Sequence, residues 1–310
     1  MTSPLKCSVV IPTYNRERLL GYTLRSLAGQ SLDRAAFEVL VCDDGSSDGT
    51  AELVKSFAGR INVRYFYQED LGHRAAAARN LGIRNAEAPV TVLMDSGVLG
   101  HSRLLEEHLA SHANADGPVG VCGYVYCFNL DNEEAERINK VIRFEDPDGT
   151  IAHLRRTGEF ADVRDRFFYN RYGDDFADLP APWLNFWTCN VSARTDQLRA
   201  VGMFDEEFTR WGGEDLDIGY RLHRAGARLI LNRNAAAIHC PHEKSFEQNN
   251  GMAELNYRIM AKKYDTPIIK VLLELPHINF FAINDIIRER GLPRCADYVA
   301  ERETAKQSAS

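Results

Sequence analysis

The chain has 310 residues, of which 45% are hydrophobic and 26% charged, enough apolar content to bury a large core. Its net charge of −7 argues against a nucleic-acid partner, because neutralising phosphates needs an excess of clustered Lys and Arg. Seven cysteines, an odd number scattered through mostly apolar runs, read as reduced core thiols and not as a disulfide framework.

Residues 1–6 lead straight into an apolar run, without the basic segment, long apolar stretch and cleavage site of a secretory signal, so a cytoplasmic chain is expected. Short β-branched runs at 6–11, 37–42, 63–67 and 90–94 alternate with helical patterns at 17–28, 48–57 and 73–85. This alternation predicts βαβ units and a parallel sheet, whose strands are apolar on both faces. Ligands of such sheets bind beyond the carboxyl ends of the strands, which directs attention to the segments after Ile11, Cys42 and Met94.

A further strand is expected at 119–127, followed by a charged, aromatic-rich insertion at 129–182. A strand at 186–191, a helix at 214–225 and a strand at 228–231 would complete a domain of residues 1–245, with halves at 1–100 and 101–245. Residues 246–300 read as a helical extension and 301–310 as a tail without order. The apolar stretch 267–283 is broken by Lys270, Glu274, Pro276 and His277. It is too short and too polar to span a bilayer, which takes roughly 20 apolar residues, and leaves room for peripheral membrane contact only.

Chemistry concentrates in a few segments. In Pro12-Thr13-Tyr14-Asn15-Arg16, Pro12 is expected to stop the sheet ladder and expose backbone groups to a ligand, with Asn15 alternatively capping the next helix. In Asp43-Asp44-Gly45-Ser46-Ser47-Asp48-Gly49-Thr50, two adjacent acids need partners, and one could accept from a nucleobase imide or ribose hydroxyl. Asp48 or Ser47 is explained more simply as a helix cap. In Phe208-Thr209-Arg210-Trp211-Gly212-Gly213-Glu214-Asp215, the glycines let backbone approach a sugar, Trp211 offers a flat apolar surface, and the acids suit a helix N-terminus.

The ordered set of Val9-Val10-Ile11-Pro12-Thr13-Tyr14-Asn15-Arg16, Val41-Cys42-Asp43-Asp44-Gly45-Ser46 and Ala78-Arg79-Asn80-Leu81-Gly82 resembles the opening signatures of family-2 glycosyltransferases. The Trp211 to Asp215 block resembles that of galactosyltransferases and chondroitin-type polymerases. The resemblance covers roughly residues 6–128 and 184–243. It implies an α/β, Rossmann-like GT-A fold with a mostly parallel central sheet, and an inverting transfer of sugar from a nucleotide diphosphate, expected to be UDP-linked, to an acceptor hydroxyl.

Within that resemblance Pro12, Thr13 and Tyr14 line the nucleotide pocket, Asp44 contacts the uracil, and Arg79 lies under the donor. Asp95 and Ser96 bind the donor. Asp215 is the general base, Glu214 holds a sugar hydroxyl, and Trp211 with Gly213 forms the acceptor side. Asp217 reads as a structural helix acid. The family's Asp-x-Asp metal motif stands here as Asp95-Ser96-Gly97, so Gly97 replaces a ligand. A weakly held Mn or Mg is therefore expected on Asp95 and His239, with His242 as the alternative to His239. The segment 183–192, with Trp187, Thr188 and Asn190, resembles the acceptor-side strand, although its aromatics fit a core equally well. Two other readings compete. A non-catalytic sugar-nucleotide binder would explain Gly97 but leaves Asp215 without a purpose, and a sugar-phosphate nucleotidyltransferase would need a Gly-rich basic loop that residues 12–16 lack.

Overall fold

The computed structural model describes residues 4–129, 131–242 and 245–308. Eight strands form one sheet in the order β3-β2-β1-β4-β7-β6-β8-β5. They are β1 (Cys7–Thr13), β2 (Phe37–Asp43), β3 (Val63–Tyr67), β4 (Val90–Met94), β5 (Val98–Gly100), β6 (Val119–Tyr126), β7 (Asn190–Arg194) and β8 (Arg228–His239). The first four are mutually parallel, and β7 and β5 run antiparallel to their neighbours. The mostly parallel α/β architecture agrees with the expectation.

The continuous apolar runs of β1, β2 and β4 are buried along their whole lengths, as strands covered on both faces must be. The helices α1 (Glu17–Ala28), α2 (Thr50–Ser56) and α3 (Ala75–Asn85) connect them. Pro12 does not stop the ladder as expected: β1 continues through Pro12 and Thr13, which pair with Cys42 and Asp43 of β2. The reason is directional. Thr13 O accepts from Asp44 N–H toward β2, so Pro12 faces the β4 side, where pairing has already ended at Val10 and its missing N–H costs nothing.

Three other expectations need correction. Residues 186–189 are not strand; a 3₁₀ turn at Pro182–Asn185 precedes β7, and Phe186 packs into the core. β8 is much longer than 228–231 because a bulge opposite Gly123 and Tyr124 carries it past the polar Asn232-Arg233-Asn234 stretch. The 301–310 tail is not without order up to Ser308. Good helix formers continue the last helix, and Arg302 pairs with Asp265 at 2.6 Å.

Elsewhere α4 (Leu104–Ala113) follows β5 and buries His108 against Ser192 and Asn190. The insertion carries α5 (Asn132–Asn139), α6 (Pro147–Thr157) and α7 (Asn170–Tyr172). It is tied to the sheet by buried Arg164, which bonds Asp162, Asn185 O and Gly123 O. Then come α8 (Thr195–Ala200), α9 (Glu214–Arg224), α10 (Phe246–Tyr264), α11 (Pro267–Lys270), α12 (Ile283–Glu289) and α13 (Cys295–Ser308). No helix among the described residues is long and apolar enough to cross a membrane. All seven cysteines are buried and free.

Candidate active site

Because β1, β2, β4, β6 and β8 run the same way, their carboxyl ends lie along one edge, and the predicted site residues fall there. The loop after β1 and the loop after β2 are clamped together. Asn15, in a left-handed conformation, donates its N–H to Ser46 Oγ and accepts from Ser47 N–H, and Glu17 N–H donates to Asp48. Asn15 therefore does not cap α1 with its side chain. Thr13 is buried with no protein partner for its hydroxyl, while Tyr14 is exposed and donates to Asp70.

The paired acids have separate duties. Asp43 is fully buried, accepting from Ser46 N–H and from the Tyr65 hydroxyl at 2.6 Å, so it braces the loop. Asp44 accepts from Gln68 at 2.6 Å and from Arg74 N–H at 2.8 Å. Each carboxylate oxygen has two lone pairs, so these bonds orient Asp44 and leave it able to accept from a base. Gln68 was not anticipated, although its place directly after β3 is the kind of position that deserved inspection.

The centre of the arrangement is Arg79. Its guanidinium is buried and reaches Asp95 at 2.9 Å and Glu214 at 3.1 Å, with the Phe204 ring 5.3 Å away. Burial opposes the charge, and the two carboxylates outweigh it, holding the guanidinium above its usual range. The neighbouring Asn80 fixes the chain that leads to Trp211, exchanging bonds with Phe204 N–H and O and reaching Glu206. One turn of α3 thus joins the end of β4 to the start of α9. Glu214 Oε2 and Arg79 Nε are also buried without protein partners.

Asp215 is half-buried, its carboxylate accepting from Leu216 N–H at 2.8 Å. Its pKa is pushed up to about 7, first by burial and then by the adjacent Glu214, with Arg79 and the Leu216 N–H pulling the other way. A carboxylate poised near neutrality is the property a general base requires. Asp217, by contrast, is fully buried between Arg221, Tyr264 and Lys263, and is consumed in holding α9 to α10.

Trp211 is 44% exposed, open to a ring-shaped ligand. Gly212 and Gly213 are both left-handed, at φ +84° and +93°. What they approach closely is α10: a Cβ on either would stand 3.1 Å from the Ala253 or Asn256 Cβ.

At the proposed metal position Ser96 is buried and Asp95 is partly exposed, with one oxygen on Arg79. The turn closes through Val98 N–H to Asp95 O, and Val98 pairs with His239, which brings the two candidate ligands to neighbouring segments. The His239 ring is 5.1 Å from Phe128 and 5.4 Å from His242. Among the described residues no three His, Cys, Asp or Glu side chains come together to hold a metal. Gly97 is left-handed at φ +98°, and a Cβ there would face Leu19 and Cys240. Its N–H bonds Thr23 and its carbonyl accepts from Cys240, so this position braces the turn. A cavity of about 350 Å³ lined by Arg25, Arg60, Phe144 and Glu145 lies at the other end of α1 and shares none of these residues.

The family-2 glycosyltransferase model matches residues 8–175, and the model of the N-terminal domain of galactosyltransferase matches residues 173–243. The chain belongs to glycosyltransferase family 2. It is 40% identical over 257 residues to validoxylamine A glucosyltransferase of Streptomyces hygroscopicus subsp. limoneus, covering 83% of this chain and 56% of that protein. It is 32% identical over 241 residues to chondroitin synthase of Escherichia coli, covering 75% and 34%. The chain therefore spans little more than half of the first relative and a third of the second. Among solved structures, the mannosyltransferase PcManGT of Pyrobaculum calidifontis, in complex with GDP-Man and Mn²⁺, superposes with a TM-score of 0.61 at 20% identity, covering 98% of this chain and 81% of that one. TarS of S. aureus in complex with UDP-GlcNAc does so at 0.60 and 18%, covering 92% and 71%. These two likenesses establish the GT-A fold of this chain.

Proposed function

We propose that this glycosyltransferase inverts the anomeric centre, moving a sugar from a UDP-linked donor to a hydroxyl of a small polyhydroxylated acceptor or soluble glycan. The observation that carries the reading is the convergence of Asp95 and Glu214, from sequence-distant segments, on the Arg79 guanidinium, next to Asp215, whose pKa is raised to about 7. In this reading Thr13 and Asp44 receive the nucleoside, and Ser96 and Asp95 face the diphosphate. Asp215 removes the acceptor proton as the oxygen attacks the anomeric carbon, and the nucleotide leaves from the opposite face without a covalent intermediate.

Glu214 is suited to accept from a sugar hydroxyl through its unpaired oxygen, and Trp211 to cover a sugar ring. The validoxylamine A glucosyltransferase likeness favours glucose as the donor sugar. A divalent cation fits Asp95 and His239 provided that donor phosphate oxygens complete its shell, since Mg²⁺ and Mn²⁺ sites of this type keep one or two protein carboxylates. When bound it would neutralise the leaving diphosphate.

The test is release of UDP from UDP-glucose by the full chain, with and without a cyclic polyol acceptor such as validoxylamine A, and with Mn²⁺. Acceptor-stimulated release with inversion at the anomeric carbon supports the reading. Retention of configuration, or tight binding of UDP-sugars without any turnover, would refute it, the latter in favour of a non-catalytic binder.

A further inference from the structure

Sequence patterns give residues 246–264 no role, yet α10 lies against the segment that presents Trp211 and begins α9. Asn256 is completely buried, and its side-chain amide donates to Arg210 O at 3.1 Å and to Gly212 O. These two carbonyls flank Trp211. On the same face, Ala253 and Asn256 supply Cβ atoms that would stand 3.1 Å from a Cβ at 212 or 213, closer than ordinary contact. Tyr257 follows, its ring 3.8 Å from the position a Gly213 Cβ would take, and its hydroxyl is raised above its usual range by burial and then by Asp215 and Glu214. At its far end α10 is anchored by Tyr264 and Lys263 on Asp217 and by Lys263 on Asp205.

We propose that Asn256 is a positioning residue of the transferase: by holding the carbonyls on either side of Trp211 it fixes the acceptor-side loop and the entry of the helix that carries Asp215. The proposal rests on the functional reading above for its catalytic consequence, but not for its structural one. Three features make the clamp specific. The loop has two consecutive left-handed glycines, so its own backbone resists few alternative conformations. Two carbonyl bonds from one buried amide select one of them. Trp211 itself is 44% exposed, which leaves the backbone on either side of it as the place where the hold acts.

The experiment compares wild type, Asn256→Ala and the control Leu255→Ala, which alters an exposed side chain on the same helix. Two readouts are used. The first is tryptic cleavage after the exposed Arg210, measured under native conditions. The second is steady-state transfer from UDP-glucose to validoxylamine A, alongside the Kd for UDP. The expected result for Asn256→Ala is at least ten-fold faster cleavage after Arg210 and at least a ten-fold fall in acceptor kcat/KM. Affinity for UDP should stay within two-fold, and Leu255→Ala should match wild type. A general loss of structure would instead open many tryptic sites and weaken UDP as well. Should Asn256→Ala not yield folded protein, Asn256→Ser, which retains a donor of shorter reach, is expected to show intermediate values of both readouts. Unchanged Arg210 cleavage in a folded variant overturns the proposal. If wild type transfers to no acceptor, the functional reading fails, and the cleavage comparison still decides whether Asn256 clamps the loop.

Discussion

The substitution Asp215→Asn separates a base from a helix-capping acid. The side chain accepts one bond, from Leu216 N–H at 2.8 Å, and an asparagine oxygen can accept the same bond. What the substitution removes is the charge. The rise from 3.8 to about 7 means that the folded protein resists ionising this group, because burial and Glu214 both oppose a second negative charge there. At about 1.4 kcal/mol for each pH unit, the ceiling on the cost of the ionised form is near 4 kcal/mol.

The sign follows from proton binding. The folded state holds the Asp215 proton more tightly than the unfolded chain, so its contribution to stability is full below about pH 4 and is lost as pH rises through about 7. Asp215→Asn is therefore expected to be more stable than wild type at pH 8, with the difference fading by pH 4. It should also turn over at least 10²-fold more slowly, with UDP affinity preserved. Wild-type kcat/KM should rise with pH and level off above about 7, since the base acts unprotonated and this parameter reports the free enzyme. Thermal unfolding at pH 4 and 8 with steady-state kinetics checks all three. A variant destabilised at pH 8 refutes the desolvation argument, and one within a few-fold of wild-type turnover places the base elsewhere, with Glu214 the next candidate.

Asp44→Ala should weaken UDP at least ten-fold in calorimetry, and because it also frees Gln68 and the Arg74 N–H it should cost about 1–2 kcal/mol of stability; unchanged UDP affinity would remove Asp44 from the site. Free enzyme should bind Mn²⁺ weakly and far more tightly once UDP is present, as titration with and without nucleotide would reveal. Complete loss of activity at stoichiometric EDTA, reversed by micromolar Mn²⁺, would require a tight site built from other residues. Burial lowers the pKa of both His108 and His112 to about 4, so the stability they contribute is full above about pH 6.5 and is lost as pH falls toward 4. His108→Gln should flatten that decline, and an unaltered slope of stability against pH would refute the assignment.

The parallel half of the fold was legible within a residue or two because buried parallel strands leave unbroken runs such as Val39 to Cys42, with Gly, Pro and Asx residues at their ends. Legibility failed where tertiary packing overrode the local pattern. Residues 186–189 look like a strand, yet Phe186 fills the core and half-buried Trp187 packs against Phe128 and Phe281, neither serving the sheet. The candidate residues could be named from their motifs, but not the Arg79 bridge, which joins positions 135 residues apart in sequence. Asn256 carried no signal at all. A buried amide that works through two backbone carbonyls looks like any polar residue on an ordinary helix.

Charge gives Gly97 its meaning. Asp95, Glu214 and Asp215 stand around one guanidinium, so the group is anionic even with Asp215 protonated and more so once it ionises, and an arriving nucleotide diphosphate adds further negative charge. A fourth fixed carboxylate at position 97 would deepen that repulsion, and a side chain there would in any case face Leu19 and Cys240. Under the proposed function, a cation held by Asp95 and His239 balances the site only when the donor phosphates arrive with it. Arg79 restrains the carboxylates until then, which requires a group that cannot lose its proton and can reach two partners at once. Arginine meets both conditions, whereas a buried lysine shifts its pKa readily and fails the first.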